Sequence, residues 1–171
     1  DLSTLQAELA KIPSMEGLEL SSQVCTKEPY FVGNPSASKK VAVLDLGVKK
    51  SILSNIADRD CYLQVFPAKT SFTEIAAWNP DGYFISNGPG DPEAVMYAVN
   101  TVKEILEEDR PLFGICLGHQ MLALANKVIK EQKSEALKFS NEILMNQYAV
   151  FSEFHGLLQL PSTKLSNEDK L

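Results

Sequence analysis

Four short apolar runs, each closed by a turn residue and followed by a stretch of helical periodicity, leave this chain few folds to adopt. Residues 41–46 (Val-Ala-Val-Leu-Asp-Leu) are apolar at almost every position, as a strand buried on both faces must be. Gly47 turns the chain into 48–58, where Ile52, Leu53 and Ile56 share one helix face. The pattern repeats: strand 62–66 before Pro67 and helix 70–78 capped by Thr70 or Ser71, then strand 82–86 and helix 93–108 with Val95, Val99, Val102, Ile105 and Leu106 as its stripe. Strand 111–115 and a helix from Gly118 to Lys127 complete the series. Strands alternating with helices at this spacing predict an α/β, flavodoxin-like, mostly parallel sheet with helices on both faces. Right-handed crossovers bring every strand's C-terminal end to one edge, where such sheets bind ligands. Asp45 to Gly47, Ser86 to Pro92 and Cys116 to Gly118 are all expected there.

The last strand-to-helix join is the most specific feature. Gly114-Ile-Cys-Leu-Gly118 has the form of a nucleophile elbow with cysteine in the serine position. A strand that turns directly into a helix needs neighbours without a Cβ so that the backbones can pass. Cys116 then stands at a helix N-terminus, a setting that favours thiolate. The plain alternative is a buried cysteine at the end of a core strand. Ser86-Asn-Gly-Pro-Gly-Asp-Pro92 is rich in uncommitted N–H groups and stiffened by Pro89 and Pro92, so it is suited to hold an oxyanion together with the Leu117 N–H. Alone, it is also a tight turn ending a strand. It lacks the Gly-Lys-Ser/Thr ending of a phosphate-binding P-loop.

Composition narrows the setting. With 171 residues, 44% hydrophobic and 22% charged, the chain holds enough apolar material for one sizeable core. A net charge of −6 argues against a nucleic-acid or anionic-membrane surface. No apolar run reaches the roughly 18 to 20 residues of a membrane span, and the N-terminus has no signal-peptide core. Cys25, Cys61 and Cys116 have spacings of neither a disulfide framework nor a metal site, so a reducing cytoplasmic setting is expected. The chain opens at Asp1, as a fragment or processed product would. Residues 1–40 read as an N-terminal connector: a helix on Leu2, Leu5 and Leu9 broken by Pro13, then a Pro- and Gly-containing linker or surface loop at 28–40.

The two glycine motifs together, with 43–53 (Val-Leu-Asp-Leu-Gly-Val-Lys-Lys-Ser-Ile-Leu), 67–71 (Pro-Ala-Lys-Thr-Ser), 79–82 (Asn-Pro-Asp-Gly) and 16–20 (Glu-Gly-Leu-Glu-Leu), resemble the triad-type, class I glutamine amidotransferases. The resemblance covers about residues 15–126 and assigns 41–126 to the amidotransferase core. It implies that Cys116 attacks the side-chain amide of glutamine and that Gly88, Gly90, Leu117 and Gln120 contact that substrate. It also implies that ammonia passes to a separate ATP-using synthetase chain, with no metal or cofactor held here. Beyond Asn126 the pattern departs. Residues 127–171 form a divergent tail, expected helical to about residue 145, with a polar end at 162–171. The family's His-Pro-Glu segment, source of base and orienting carboxylate, is absent, and Phe154-His-Gly-Leu157 only faintly echoes its glutamine-binding loop. His119, three residues past Cys116, is expected to orient the elbow or pack beneath it, because a base for an elbow nucleophile normally arrives from another loop. His155 is a lone histidine in an apolar stretch. A non-catalytic module that binds a synthetase, or another cysteine-elbow hydrolase, are the alternatives.

Overall fold

The computed structural model describes residues 1–132. Eleven regular elements follow in order: α1 (Leu2–Leu9), α2 (Ser21–Val24), β1 (Tyr30–Val32), β2 (Lys39–Asp45), α3 (Lys50–Ala57), β3 (Cys61–Pro67), α4 (Phe72–Ala77), β4 (Gly82–Ile85), α5 (Met96–Leu106), β5 (Leu112–Gly114) and α6 (Leu117–Gln132). The strands form one sheet in the order β1-β3-β2-β4-β5, in which β2, β3, β4 and β5 run parallel and β1 pairs antiparallel with β3.

Period-two alternation splits the apolar run of β2 between two cores. Val41 and Val43 meet Leu53, Ile56, Cys61, Leu63, Val65 and Phe84 on the face covered by α3. Ala42, Leu44 and Leu46 point the other way, toward Ile75 of α4, Val99, Val102 and Ile105 of α5 and Met121, Leu122 and Ala125 of α6. The crossover through α3 moves outward from β2 to β3, whereas those through α4 and α5 move back past β2 toward β5. Right-handed connections running in opposite directions must lie on opposite faces. The reversal falls between β2 and β4, and the loops that follow those two strands flank it.

The expected elements appear with shifted ends. Ser71 is the cap of α4, in a reciprocal box with Glu74. The expected helix 93–108 opens as a 3-10 turn, Pro92–Val95, capped by the Asp91 side chain, before α5 proper. The segment 28–40, expected as linker or surface loop, contributes β1. Three residues are too few to show alternation, and what holds the strand is tertiary: Phe31 stacks on Tyr62 with ring centroids 5.1 Å apart, and both lie against Trp78. In α1, Leu2, Leu5 and Leu9 are all exposed and nothing is buried. α6 extends five residues past Lys127. The remainder of the tail, with His155, lies outside the described residues. Among the described residues no helix is long and apolar enough to cross a membrane, and no group of three or more His, Cys, Asp or Glu is placed to hold a metal ion.

Candidate active site

Cys116 sits between β5 and α6 with φ +53°, a left-handed conformation rare for a residue with a side chain. Holding a non-glycine residue there costs on the order of 1–3 kcal/mol and persists only where the surroundings enforce it. The enforcing contacts are backbone. A Cβ on Gly118 would lie 2.2 Å from the Ile85 carbonyl oxygen and 2.8 Å from that of Ser86. A Cβ on Gly114 would lie 2.7 Å from the Gly118 carbonyl carbon and oxygen. The two glycines therefore let α6 start directly against β4 and β5, and the Gly118 N–H closes the joint by donating to Ser86 O at 3.1 Å. The thiol is left exposed, so the alternative of a buried structural cysteine does not describe this residue.

The residues around it divide by what they present. Leu117 buries its side chain in the core, which leaves its backbone at the helix N-terminus, where the first N–H groups have no intrahelical acceptor. Gln120 is exposed one turn into α6, its N–H donating to Cys116 O at 3.1 Å. His119 is exposed and does not pack beneath the elbow as expected.

The 86–92 loop lies alongside. Ser86, fully buried, ties three loops together: Leu46 N–H donates to its Oγ at 2.8 Å, its own N–H donates to Leu44 O, and its carbonyl accepts from Gly118. Asn87 bridges to the loop after β2, donating from Nδ2 to Gly47 O at 3.0 Å. Gly88 is pressed against β2, since a Cβ there would come within 2.0 Å of Leu46 O. Gly90 has φ +102° and backs onto the N-terminal segment, where a Cβ would meet Leu18 O at 2.8 Å. Among the described residues the N–H groups of Gly88 and Gly90 have no acceptor, whereas that of Asp91 is taken by Leu18 O at 2.9 Å. The loop after β2 is shaped by the buried Asp45: its Oδ1 accepts from the N–H groups of Gly47 and Val48, both at 2.8 Å, and its Oδ2 from Thr26 N–H.

Gly88 and Gly90 on the loop after β4, Cys116 at the elbow, and Leu117 and Gln120 in the first turn of α6 thus stand together at the C-terminal edge of the sheet. Sequence reasoning missed the roles of Asp45 and Ser86. A carboxylate ending an otherwise apolar strand, just before a glycine turn, was the available signal for Asp45. Ser86 carried no comparable sign. A cavity of about 220 Å³ lined by Ile52, Ile56, Phe84, Phe113 and Ile115 opens on the α3 face of the sheet.

A parallel sheet bearing a cysteine elbow beside a rigid glycine loop defines a class of α/β proteins built for attack on a carbonyl carbon. The pattern described as glutamine amidotransferase class-I matches residues 42–162, well over half of the chain and past Asn126, and the chain belongs to that family. Similar curated proteins include the carbamoyl phosphate synthase small chain of Chlorobaculum tepidum, 42% identical over 91% of this chain and 44% of the relative. The protein of that name from Polynucleobacter asymbioticus is 39% identical over 94% of this chain and 46% of the relative, and that from Vibrio parahaemolyticus is 44% identical over 70% and 36%. The chain spans less than half the length of these relatives.

Proposed function

We propose that this chain carries the glutamine-hydrolysing half-site of a carbamoyl phosphate synthase, with Cys116 as nucleophile. The observation that carries the reading is the exposed Cys116 at φ +53°, held between two close-packed glycines at the start of a helix. The thiolate adds to the side-chain carbonyl carbon of glutamine, and the carbonyl electron pair moves onto oxygen. The N–H groups of Leu117 and of the Gly88–Gly90 stretch receive that oxyanion, a contribution typically worth 10²- to 10³-fold in rate per donor. Gln120, exposed one turn into α6, contacts the bound substrate. Collapse of the adduct breaks the C–N bond, the nitrogen takes a proton and leaves as ammonia, and water then cleaves the γ-glutamyl thioester to glutamate. Ammonia goes to a large ATP-using synthetase chain, in a cytoplasmic complex serving pyrimidine and arginine synthesis. Residues 41–126 act as the amidotransferase core, 1–40 as a connector and 127–171 as a divergent tail.

The test is intact mass after incubation with glutamine. A γ-glutamyl adduct on the full chain that disappears in Cys116→Ser supports the reading. An adduct of equal size in Cys116→Ser, or none in the unmutated chain, overturns it.

A further inference from the structure

Residues 17–26 cross the C-terminal edge of the sheet and make a set of contacts that the proposed reaction does not itself use. Asp91 Oδ2 accepts from Gly17 N–H at 2.7 Å, and Asp91 N–H donates to Leu18 O at 2.9 Å. Ser21, fully buried, donates from Oγ to Pro89 O at 3.1 Å. Val24 closes over the next loop, since a Cβ on Gly47 would meet its Cγ2 at 2.9 Å and Pro89 Cδ at 3.0 Å. The segment is pinned at both ends: Tyr97 of α5 donates its hydroxyl to Glu19 Oε1 at 2.7 Å, and Thr26 N–H donates to Asp45 Oδ2 at 2.8 Å.

We infer that this segment is a strap that holds the 86–92 loop so that its free N–H groups, those of Gly88 and Gly90, are aimed at the oxyanion, with Ser21 as its main positioning residue; the inference rests on the reading proposed above. A trans peptide holds its N–H opposite its C=O. The peptide that joins Pro89 to Gly90 contains both the carbonyl that Ser21 grips and one of the N–H groups proposed to meet the oxyanion, and Pro89 follows directly on Gly88, which carries the other. Fixing one end of that plane fixes the direction of the other. The two bonds between Asp91 and residues 17 and 18 secure the end of the loop and commit the Asp91 N–H elsewhere, which leaves those of Gly88 and Gly90 as its free donors. Gly90 itself cannot carry a side chain here, because the strap occupies the space behind it. A strap of this kind stiffens donors before substrate arrives, so that no reorganisation is needed when charge develops on oxygen.

The experiment compares two reactions of Cys116 in the full chain. Acylation by glutamine needs the oxyanion donors. Alkylation by iodoacetamide is a displacement at a methylene carbon and does not. Ser21→Ala is expected to slow single-turnover acylation at saturating glutamine by tenfold or more, with half-saturation changed less than threefold and alkylation changed less than twofold. Asp91→Ala is expected to act in the same direction. Equal slowing of both reactions marks a merely structural role and overturns the inference, as does unchanged acylation in both variants. Failure of the unmutated chain to acylate sinks the glutamine reading and the strap with it. Normal acylation of the unmutated chain that survives both substitutions sinks the strap alone.

Discussion

At Cys116 the exposure of one thiol and the burial of another make a sharp test. Cys61 is fully buried, and that burial, helped by the neighbouring Asp60 carboxylate, pushes its thiol up to about 11. Cys25 is half-buried, with Sγ directed at Ser22 O. A glutamine-derived electrophile at neutral pH is therefore expected to label Cys116 at least tenfold faster than Cys25 or Cys61, read by peptide mass mapping of the folded chain. Equal labelling of all three would remove the claim of a reactive cysteine. The glycines divide just as clearly. Gly118→Ala forces a Cβ into the Ile85 and Ser86 carbonyls, and overpacking against rigid backbone is expected to cost about 3 kcal/mol or more. At Gly17 a Cβ would meet nothing within 4 Å, so Gly17→Ala should cost only about 1 kcal/mol, from its φ of +74°. Denaturant unfolding of the two variants side by side checks the difference; equal costs would mean that the elbow is not tightly packed. Both glycines of the elbow were legible in the sequence because a strand that turns at once into a helix makes a local steric demand.

Among the elements, the strap is held by carboxylates that make its stability depend on acid. Burial alone would raise the Glu19 carboxyl, but hydrogen bonds from Ser22 and Tyr97 and the charge of Lys69 outweigh it and hold it below its ordinary 4.5. The N–H groups of Gly17 and Glu93 hold the Asp91 carboxyl below its ordinary 3.8. A carboxyl depressed in the folded state contributes stability that is present above its unfolded value and lost as pH falls through the folded one. Backbone amides of residues 17–26 are thus expected to keep full protection from exchange above the ordinary carboxyl values and to lose it as pH falls through the lowered ones, before the sheet strands do. Loss of protection in strap and sheet at the same pH would show that the strap has no separate equilibrium. Neither the strap nor β1 could be seen from the sequence. Tyr30–Val32 becomes a strand because Leu63, Gln64 and Val65 offer an open edge to pair with. β2 to β5, by contrast, carry their own pattern, each long or apolar enough to announce a buried strand.

For the molecule as a whole, the proposed chemistry divides into a half that the described residues equip and a half that they do not. In the proposed reading the elbow and its N–H donors serve thioester formation. His119, the histidine within residues 1–132, is exposed on the elbow helix, and His155 lies outside them. Water attacking a thioester without a base loses typically 10²- to 10⁴-fold in rate. The expected outcome for this chain is near-stoichiometric acylation of Cys116 with little sustained ammonia release over many hours, beside a Cys116→Ser control. Sustained turnover lost in His155→Ala but retained in His119→Ala would identify His155 as the base and overturn that expectation. What the sequence by itself determined is whatever local periodicity and local sterics encode: four parallel strands, their helices, and a sharp strand-to-helix turn at Cys116 between Gly114 and Gly118. The tertiary structure alone decided the order of the strands, the added edge of β1, the junction of three loops at Ser86 and the grip of residues 17–21 on Pro89 and Asp91. The junction at Ser86 joins groups 40 positions apart and the grip of residues 17–21 groups 68 and 74 apart along the chain, and a hydrogen bond between such distant groups leaves no periodic trace in either segment that makes it.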